Sequence, residues 1–383
     1  MKVYEQVEEY MNKVGLKYIK NTQDFVSGLA YRTKDKQYTN DVVKHLNSRA
    51  EGRLIDNDEF YKLKNYSLDA SVYISAAFDG GVFRHIGNMI MDCSEMFCGK
   101  ALDLGCDCGI VTCFMALCYP DVQFTGVDKN PDAIENAKRL AEKLGVNNAE
   151  FVCCDVYDFH GESPFDLVTS FRCLLDVAYD KAHYLPFIGL RSERENNYKE
   201  AFSDYAGVIA DNLKDGGNLI SVERYTADYG WLGWLSALEE KGIYASDGCE
   251  LMKAQDISSV KEYSVTYAKK EKAEVSALDV FNSVLSKDFK SGAGLAGGMA
   301  EFALYYDADG EIEFTDVYKK DRIIHQFAFA TSKSGKRMYY DAGADSKKLK
   351  YYNEKKEQSI RKDIDKKLSM FDKNTYNIKN YSL

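Results

Sequence analysis

The chain has 383 residues, 45% hydrophobic and 29% charged, which suits two or three domains with a sizeable core. Its 28 tyrosines and 20 phenylalanines, against only 4 prolines, exclude a long disordered tract, because such tracts are poor in aromatics. The formal net charge of -10 weighs against a nucleic-acid partner, since binding a phosphate backbone needs basic surface.

The opening residues Met1-Lys2-Val3-Tyr4-Glu5 carry charge from the start and form no signal-peptide core. No later apolar run is long enough to span a bilayer, so a cytoplasmic protein with no membrane partner is expected. Val3, Val7, Tyr10, Met11 and Val14 share one face of a predicted helix, and Gly15 is a suitable stop. Asp24 to Tyr31 and Asp41 to Ala50 read as further helices. Asp56-Asn57-Asp58 starts another, with Phe60, Leu63 and Tyr66 along it. Residues 1–75 are therefore expected to be a helical segment without a catalytic motif. Its stripes read first as core faces, and second as a cleft cap or a homodimer contact. Ala76-Ala77-Phe78-Asp79-Gly80-Gly81 reads as a loop, and Val82 to Met91 as a helix in which His85 is a structural residue.

The stretch Ala101-Leu102-Asp103-Leu104-Gly105-Cys106-Asp107-Cys108-Gly109-Ile110-Val111-Thr112 organises the rest. An apolar strand enters, breaks at two glycines, and a helix leaves from Ile110 to Tyr119. Glycines at such a corner permit a tight turn and the approach of a ligand to peptide N–H groups at the helix start. The stretch resembles the first motif of the class I S-adenosylmethionine (SAM) methyltransferases, an acidic residue followed by G-x-G-x-G. Asp103, Gly105 and Gly109 match, and Asp107 stands where the family commonly has its middle glycine.

The alternation continues as a doubly wound unit requires. Val122 to Asp128 is a second strand ending in an acid, and Asn130-Pro131 starts a helix with Ile134, Ala137, Leu140, Ala141 and Leu144 on one face and Gly145 as its stop. Ala149 to Asp155 and Phe165 to Phe171 are the third and fourth strands. A helix from about Tyr198 to Leu213 precedes Lys214-Asp215-Gly216-Gly217 and the strand Asn218 to Val222. Trp231 to Leu238 is a helix, and Asp256 to Lys269 supplies the last strands. The resemblance covers about residues 76–270, most specifically 101–171.

Beyond about Glu274 the pattern changes. Ala277 to Phe289 reads as a helix, and the glycine-rich Ser291 to Gly298 as a mobile joint. Phe302 to Tyr306, Ile312 to Phe314, Ile323 to Thr331 and Arg337 to Tyr340 read as an antiparallel meander with turns at Asp309-Gly310 and Ser334-Gly335. Ile360, Ile364, Leu368 and Phe371 stripe a final helix. The expected fold is α/β, a doubly wound sheet of the class I methyltransferase type, with a helical N-terminal segment and a small α+β C-terminal module. The domains are expected at 1–75, 76–272 and 273–383, the last separable from the sheet.

The resemblance implies SAM as cofactor and assigns roles at the strand ends. Asp103 and the Gly105-Cys106-Asp107-Cys108-Gly109 loop are placed for the methionine end. Asp128, followed by Lys129, accepts from both ribose hydroxyls; Asp155 takes the adenine amino group, with Val156 beside the ring. Ser170 and Phe171 leave the fourth strand beside the transferable methyl. His183 or Asp176 is placed to deprotonate an acceptor, competing with a plain loop or capping role. Tyr229, Trp231 and Trp234 either wall an aromatic pocket or pack a core. The expected reaction is methyl transfer to an oxygen or nitrogen of a small molecule. The alternatives are a protein acceptor and a SAM-binding protein that does not catalyse, which Asp107 keeps open by crowding the loop. A nicotinamide-binding reading fails, because the G-x-G-x-x-G pattern is lost at Asp107 and Ile110.

The 10 cysteines include six between Cys93 and Cys118. Neither Cys106-x-Cys108 nor Cys153-Cys154 has zinc-site spacing, so no metal and reduced, largely buried thiols are expected.

Overall fold

A computed structural model describes residues 4–50, 57–182, 185–224, 228–343, 346–372 and 374–383. The chain divides into two compact units. The first is Met1–Ala178, Asp204–Arg224 and Lys241–Ala273; the second is Tyr179–Ser203, Tyr225–Glu240 and Glu274–Leu383.

The first unit is built on a sheet of β1 (Lys100–Leu104), β2 (Gln123–Asp128), β3 (Ala149–Cys153), β4 (Phe165–Phe171), β5 (Leu213–Glu223), β6 (Tyr244–Ala245), β7 (Glu250–Gln255) and β8 (Val260–Lys269). Its order is β3-β2-β1-β4-β5-β8-β6, with β7 also pairing β8. The first five strands are parallel, and β8 runs antiparallel to β5. After Lys100 every residue of β1 is buried, as a parallel strand covered on both faces demands. Helix Pro131–Leu144 shows the caps its sequence announces: Asn130 accepts from the N–H groups of Asp132 and Ala133, and Gly145 closes it with φ 74°.

The N-terminal helices Glu5–Val14, Thr22–Thr33, Lys36–Ala50 and Asn57–Lys64 belong to this unit. Val7, Tyr10, Met11 and Val14 are buried, and the Tyr10 hydroxyl donates to the Ile110 carbonyl at 2.6 Å. The loop expected at 76–81 shrinks to Asp79, which separates helix Leu68–Phe78 from Gly80–Asp92. Gly81 serves packing rather than a turn, since a Cβ there would lie 2.1 Å from the Gln255 carbonyl oxygen. As expected, the cysteines form no disulfide. Cys93, Cys106, Cys108, Cys113, Cys173 and Cys249 are buried, and Cys98 and Cys153 are exposed.

The second unit holds an antiparallel sheet of β9 (Leu295–Ala296), β10 (Glu313–Lys319), β11 (Arg322–Thr331), β12 (Arg337–Gly343), β13 (Ser346–Tyr352) and β14 (Tyr376–Ser382), in the order β14-β10-β11-β12-β13-β9. Ala300, Ala303 and Leu304 of helix Gly298–Tyr306 pack with Phe314, Tyr340 and Leu349 in one core cluster. Ile364 of helix Glu357–Leu368 packs with Val317, Phe327 and Phe329 in another. Phe302 to Tyr306, expected as a strand, is therefore helical; a short apolar run has no period that separates the two. The glycine-rich stretch is also not a free joint. Leu295 and Ala296 pair with β13, and Gly297 N–H donates to the Lys347 carbonyl at 2.9 Å.

The last segment of the second unit begins at Glu274, beside the expected boundary at 272, but the unit also takes in Tyr179–Ser203 and Tyr225–Glu240. Helix Tyr229–Glu240 contributes Trp231 and Trp234, both 0% exposed, and Trp231 lies 5.8 Å from the Phe281 ring. A chain ending at Lys272 strips Phe281 and its neighbours from these side chains. Each large aromatic so exposed costs about 2–3 kcal/mol. Such a chain is expected to aggregate; a soluble, cooperatively unfolding product would show that residues 229–240 need no partner beyond residue 272.

Candidate cofactor-binding site

The corner after β1 turns through three left-handed residues, Gly105 (φ 72°), Asp107 (φ 47°) and Gly109 (φ 74°). Two of the glycines are required by packing: a Cβ on Gly105 would lie 2.5 Å from Cys173 Sγ, and one on Gly109 would lie 2.9 Å from Ala137 Cβ. The Cys106 side chain is buried against Gly126. The loop amides are already engaged. Gly105 and Cys106 donate to the Val127 carbonyl at 2.9 and 3.0 Å, Gly109 to the Cys106 carbonyl at 2.9 Å, and Asp107 to Asp128 Oδ2 at 2.9 Å. The corner thus presents side chains, rather than free N–H groups of these residues, to a ligand.

Asp103 is buried beneath the corner. Its Oδ2 accepts from Thr112 Oγ1 at 2.5 Å and its Oδ1 from Thr169 Oγ1 at 2.9 Å, so it ties the helix start to β4. Burial pushes its carboxyl up to about 6, against the pull of the two hydroxyls.

Asp107 does not crowd the corner with a free charge. Lys64 Nζ lies 2.7 Å from Oδ2, and Asn65 Nδ2 donates to Oδ1 at 2.8 Å. Burial favours the neutral acid, but Lys64 and the donors Asn65 and Cys108 hold the carboxyl below its ordinary value. Asn65 is fixed in turn by Ser71, which donates to its Oδ1 at 2.9 Å, and by Asn136, which donates to its carbonyl at 2.9 Å. The N-terminal segment, in which the sequence shows no catalytic motif, therefore builds one wall of the site.

Asp128 ends β2 with each oxygen on a backbone donor, Asn130 N–H on Oδ1 and Asp107 N–H on Oδ2, both at 2.9 Å. Burial and neighbouring Asp107 push its carboxyl up to about 6. Lys129 turns outward to Asp58 at 2.6 Å. Asp155 follows β3, half-buried, its Oδ1 accepting from Tyr157 N–H at 3.0 Å, and Val156 beside it is buried.

At the end of β4, Phe171 is half-buried but Ser170 is fully enclosed. Ser170 Oγ donates to Glu223 Oε1 at 2.9 Å and accepts from the Tyr205 hydroxyl at 3.0 Å, so it belongs to a buried chain inside the unit. Arg172 holds φ 63°, rare for a non-glycine residue, and pairs with Asp79. Its Nε is buried with no hydrogen-bond partner among the described residues. Asp176 Oδ2 accepts from the Tyr61 hydroxyl at 2.5 Å. Arg224, at the end of β5, feels Asp176 and Tyr61, which raise its value against burial. His183 lies outside the described residues.

Burial pushes the Glu223 carboxyl up to about 8, against its donors Ser170 and Leu174 N–H. Folding then takes up a proton between the ordinary carboxyl value and that one. This group is expected to cost stability as pH rises from about 5 to about 8, at about 1.4 kcal/mol per pH unit. Glu223→Gln keeps an acceptor for Leu174 N–H, reverses the bond with Ser170 so that the amide donates to Oγ, and should flatten the slope. Urea midpoints across that range check it, and an unchanged slope would mean that Glu223 is ionised throughout.

Residues 99–274 match the family model described as "Methyltransferase domain". The match takes in β1 to β8 of the first unit. The chain is similar to a probable (S)-tetrahydroprotoberberine N-methyltransferase 2 of Papaver bracteatum, 24% identical over 29% of this chain and 34% of that one. It is 31% identical to ribosomal RNA small subunit methyltransferase G of Yersinia pseudotuberculosis, over 27% of this chain and 50% of that one. The chain thus spans about a third to a half of these curated relatives. The N-methyltransferase NodS of Bradyrhizobium japonicum, solved with S-adenosyl-L-homocysteine, aligns at TM-score 0.41 and 16% identity, over 56% of this chain and 98% of that one.

SAM is the cofactor that the match to a methyltransferase domain implies, and the carboxylates at the strand ends fit it. An ionised carboxylate has about four lone-pair positions. Asp128 spends one per oxygen on backbone N–H groups, which leaves one per oxygen for a diol. Asp155 Oδ1 is engaged by Tyr157, and its second oxygen would accept from an amino group. When bound, SAM supplies a methyl group activated on a sulfonium.

Proposed function

We propose that the chain is a SAM-dependent methyltransferase that acts on an oxygen or nitrogen of a small-molecule acceptor. The observation that carries the acceptor class is the roof over the strand ends. Helix Asn57–Lys64 engages the corner through Lys64–Asp107 and the segment after β4 through Tyr61–Asp176. A roofed edge suits a small solute better than a polymer. The net charge of -10 adds to the case against RNA, although some relatives are named for ribosomal RNA. A relative named for a tetrahydroprotoberberine favours the small acceptor.

In this reading Asp128 and Asp155 bind the nucleoside, and Lys64 and Asn65 hold the corner in shape. Asp176, with Oδ2 on Tyr61, has Oδ1 left to take a proton from the acceptor. The orphaned Nε–H of Arg172 offers a donor to a polar acceptor group. Holding the nucleophile in line then supplies most of the rate.

The test is incubation of the protein and labelled SAM with a cell extract, followed by separation by size. Label is expected among small solutes. Label confined to macromolecules would replace the acceptor class, and tight SAM binding without transfer would leave a non-catalytic binding protein.

A further inference from the structure

The second unit contains a cavity of about 230 Å3, walled by Tyr229, Phe302, Tyr305 and Tyr306 and edged by Arg191 and Lys333. It lies entirely within the second unit, and its lining beyond residue 274 falls outside the matched family model. Three features give it a chemistry. The Arg191 guanidinium sits 5.4 Å from the Tyr305 ring centre, and Lys333 Nζ sits 4.6 Å from that of Tyr306. Among the described residues neither cation has a carboxylate within ion-pair distance. Behind Tyr229, Arg194 is 1% exposed with its guanidinium 5.5 Å from the ring centre, and its Nη2 is buried without a hydrogen-bond partner among the described residues.

The neighbouring charges do not satisfy the edge. Glu301 is spent on Arg194 and Lys347, and Asp228 faces that same pair. Lys333 Nζ spends one N–H on the Tyr306 carbonyl at 2.5 Å, so its remaining N–H groups and the Arg191 guanidinium are the donors at the mouth of an aromatic-walled space. Flat rings pack favourably against aromatic faces, and a guanidinium takes a carboxylate or phosphate through paired N–H donors. Cavities for drug-sized ligands run from about 300 Å3 upward, so this one fits a single ring. We propose that the cavity binds a one-ring aromatic anion, with its ring among the tyrosines and its carboxylate or phosphate between Arg191 and Lys333.

The site is independent of methyl transfer, so its test uses binding alone. Phenyl phosphate, benzoate, benzyl alcohol and inorganic phosphate are titrated into the full chain by calorimetry, then into Arg191→Gln and Lys333→Gln. Saturable one-site binding of phenyl phosphate or benzoate is expected, at least tenfold tighter than benzyl alcohol or inorganic phosphate. Each variant should weaken it at least fivefold while SAM binding stays unchanged. Lys333 is exposed, so its variant decides the matter should Arg191→Gln misfold. No saturable binding of either aromatic anion, equal binding of inorganic phosphate, or undiminished binding in Lys333→Gln would overturn the proposal.

Discussion

Lys64→Met is expected to destabilise the first unit by about 3 kcal/mol, as removing one partner of a buried ion pair does. The Lys64 side chain is 9% exposed and that of Asp107 is 24% exposed, so water screens little of what is lost. The orphaned Asp107 charge keeps only Asn65 among side-chain donors, on a backbone already at φ 47°. The second substitution is the sharper test. In Lys64→Met/Asp107→Gly the unpaired charge is gone and a glycine occupies the left-handed position, which relieves about 1 kcal/mol. The pair should therefore recover most of the stability lost by the single variant, read as denaturant midpoints. The Asp107 carboxyl is held below its ordinary value, so the pair's contribution is present at neutral pH and is lost only as acid titrates through the lowered value. A Lys64→Met protein as stable as wild type would show that the roof does not brace the corner.

Asp128→Ala is expected to weaken SAM binding about a hundredfold or more. Two hydrogen bonds to an ionised carboxylate contribute about 1.5–3 kcal/mol each. The variant also orphans the N–H groups of Asp107 and Asn130, so its unfolding midpoint must be measured beside its affinity. Because burial and Asp107 push the carboxyl up to about 6, SAM affinity should also fall as pH drops through that value, and Asp128→Ala should show no such fall. NAD serves as the control in the same calorimeter, with no binding expected. Unchanged SAM affinity in the variant would keep the cofactor and move the ribose contact elsewhere.

Much of the first unit was legible because its signals are local. The strand end at Asp128, the Asn130-Pro131 start and the Gly145 stop are read within a few residues, and the structure places each as expected. Lys64 and Asn65 were not legible. They meet Asp107 across more than forty residues of sequence, and a lysine and an asparagine at a helix end read as ordinary solvated positions. Ser170 sits at the right strand end, yet its side chain turns to Glu223 and Tyr205. Strand alternation does not say which groups lie beneath. The make-up of the second unit was hidden because residues 179–203 and 225–240 carry no shift in composition that would separate them from the methyltransferase pattern around them. Tyr229 lines a cavity while Trp231 and Trp234 fill the core, a division set by packing partners beyond residue 274.

The distribution of thiols gives the protein a built-in clock. Cys98 and Cys153 are exposed, while Cys106, Cys108, Cys113 and Cys173 are buried around the corner. Burial pushes the Cys108 and Cys113 thiols up to about 12, so little thiolate exists at neutral pH even where a reagent reaches them. An alkylating agent should mark the two exposed sulfurs promptly. Half-buried Cys118 and Cys154 come next, and labelling of Cys106, Cys108, Cys113 and Cys173, followed residue by residue, measures how often the corner opens.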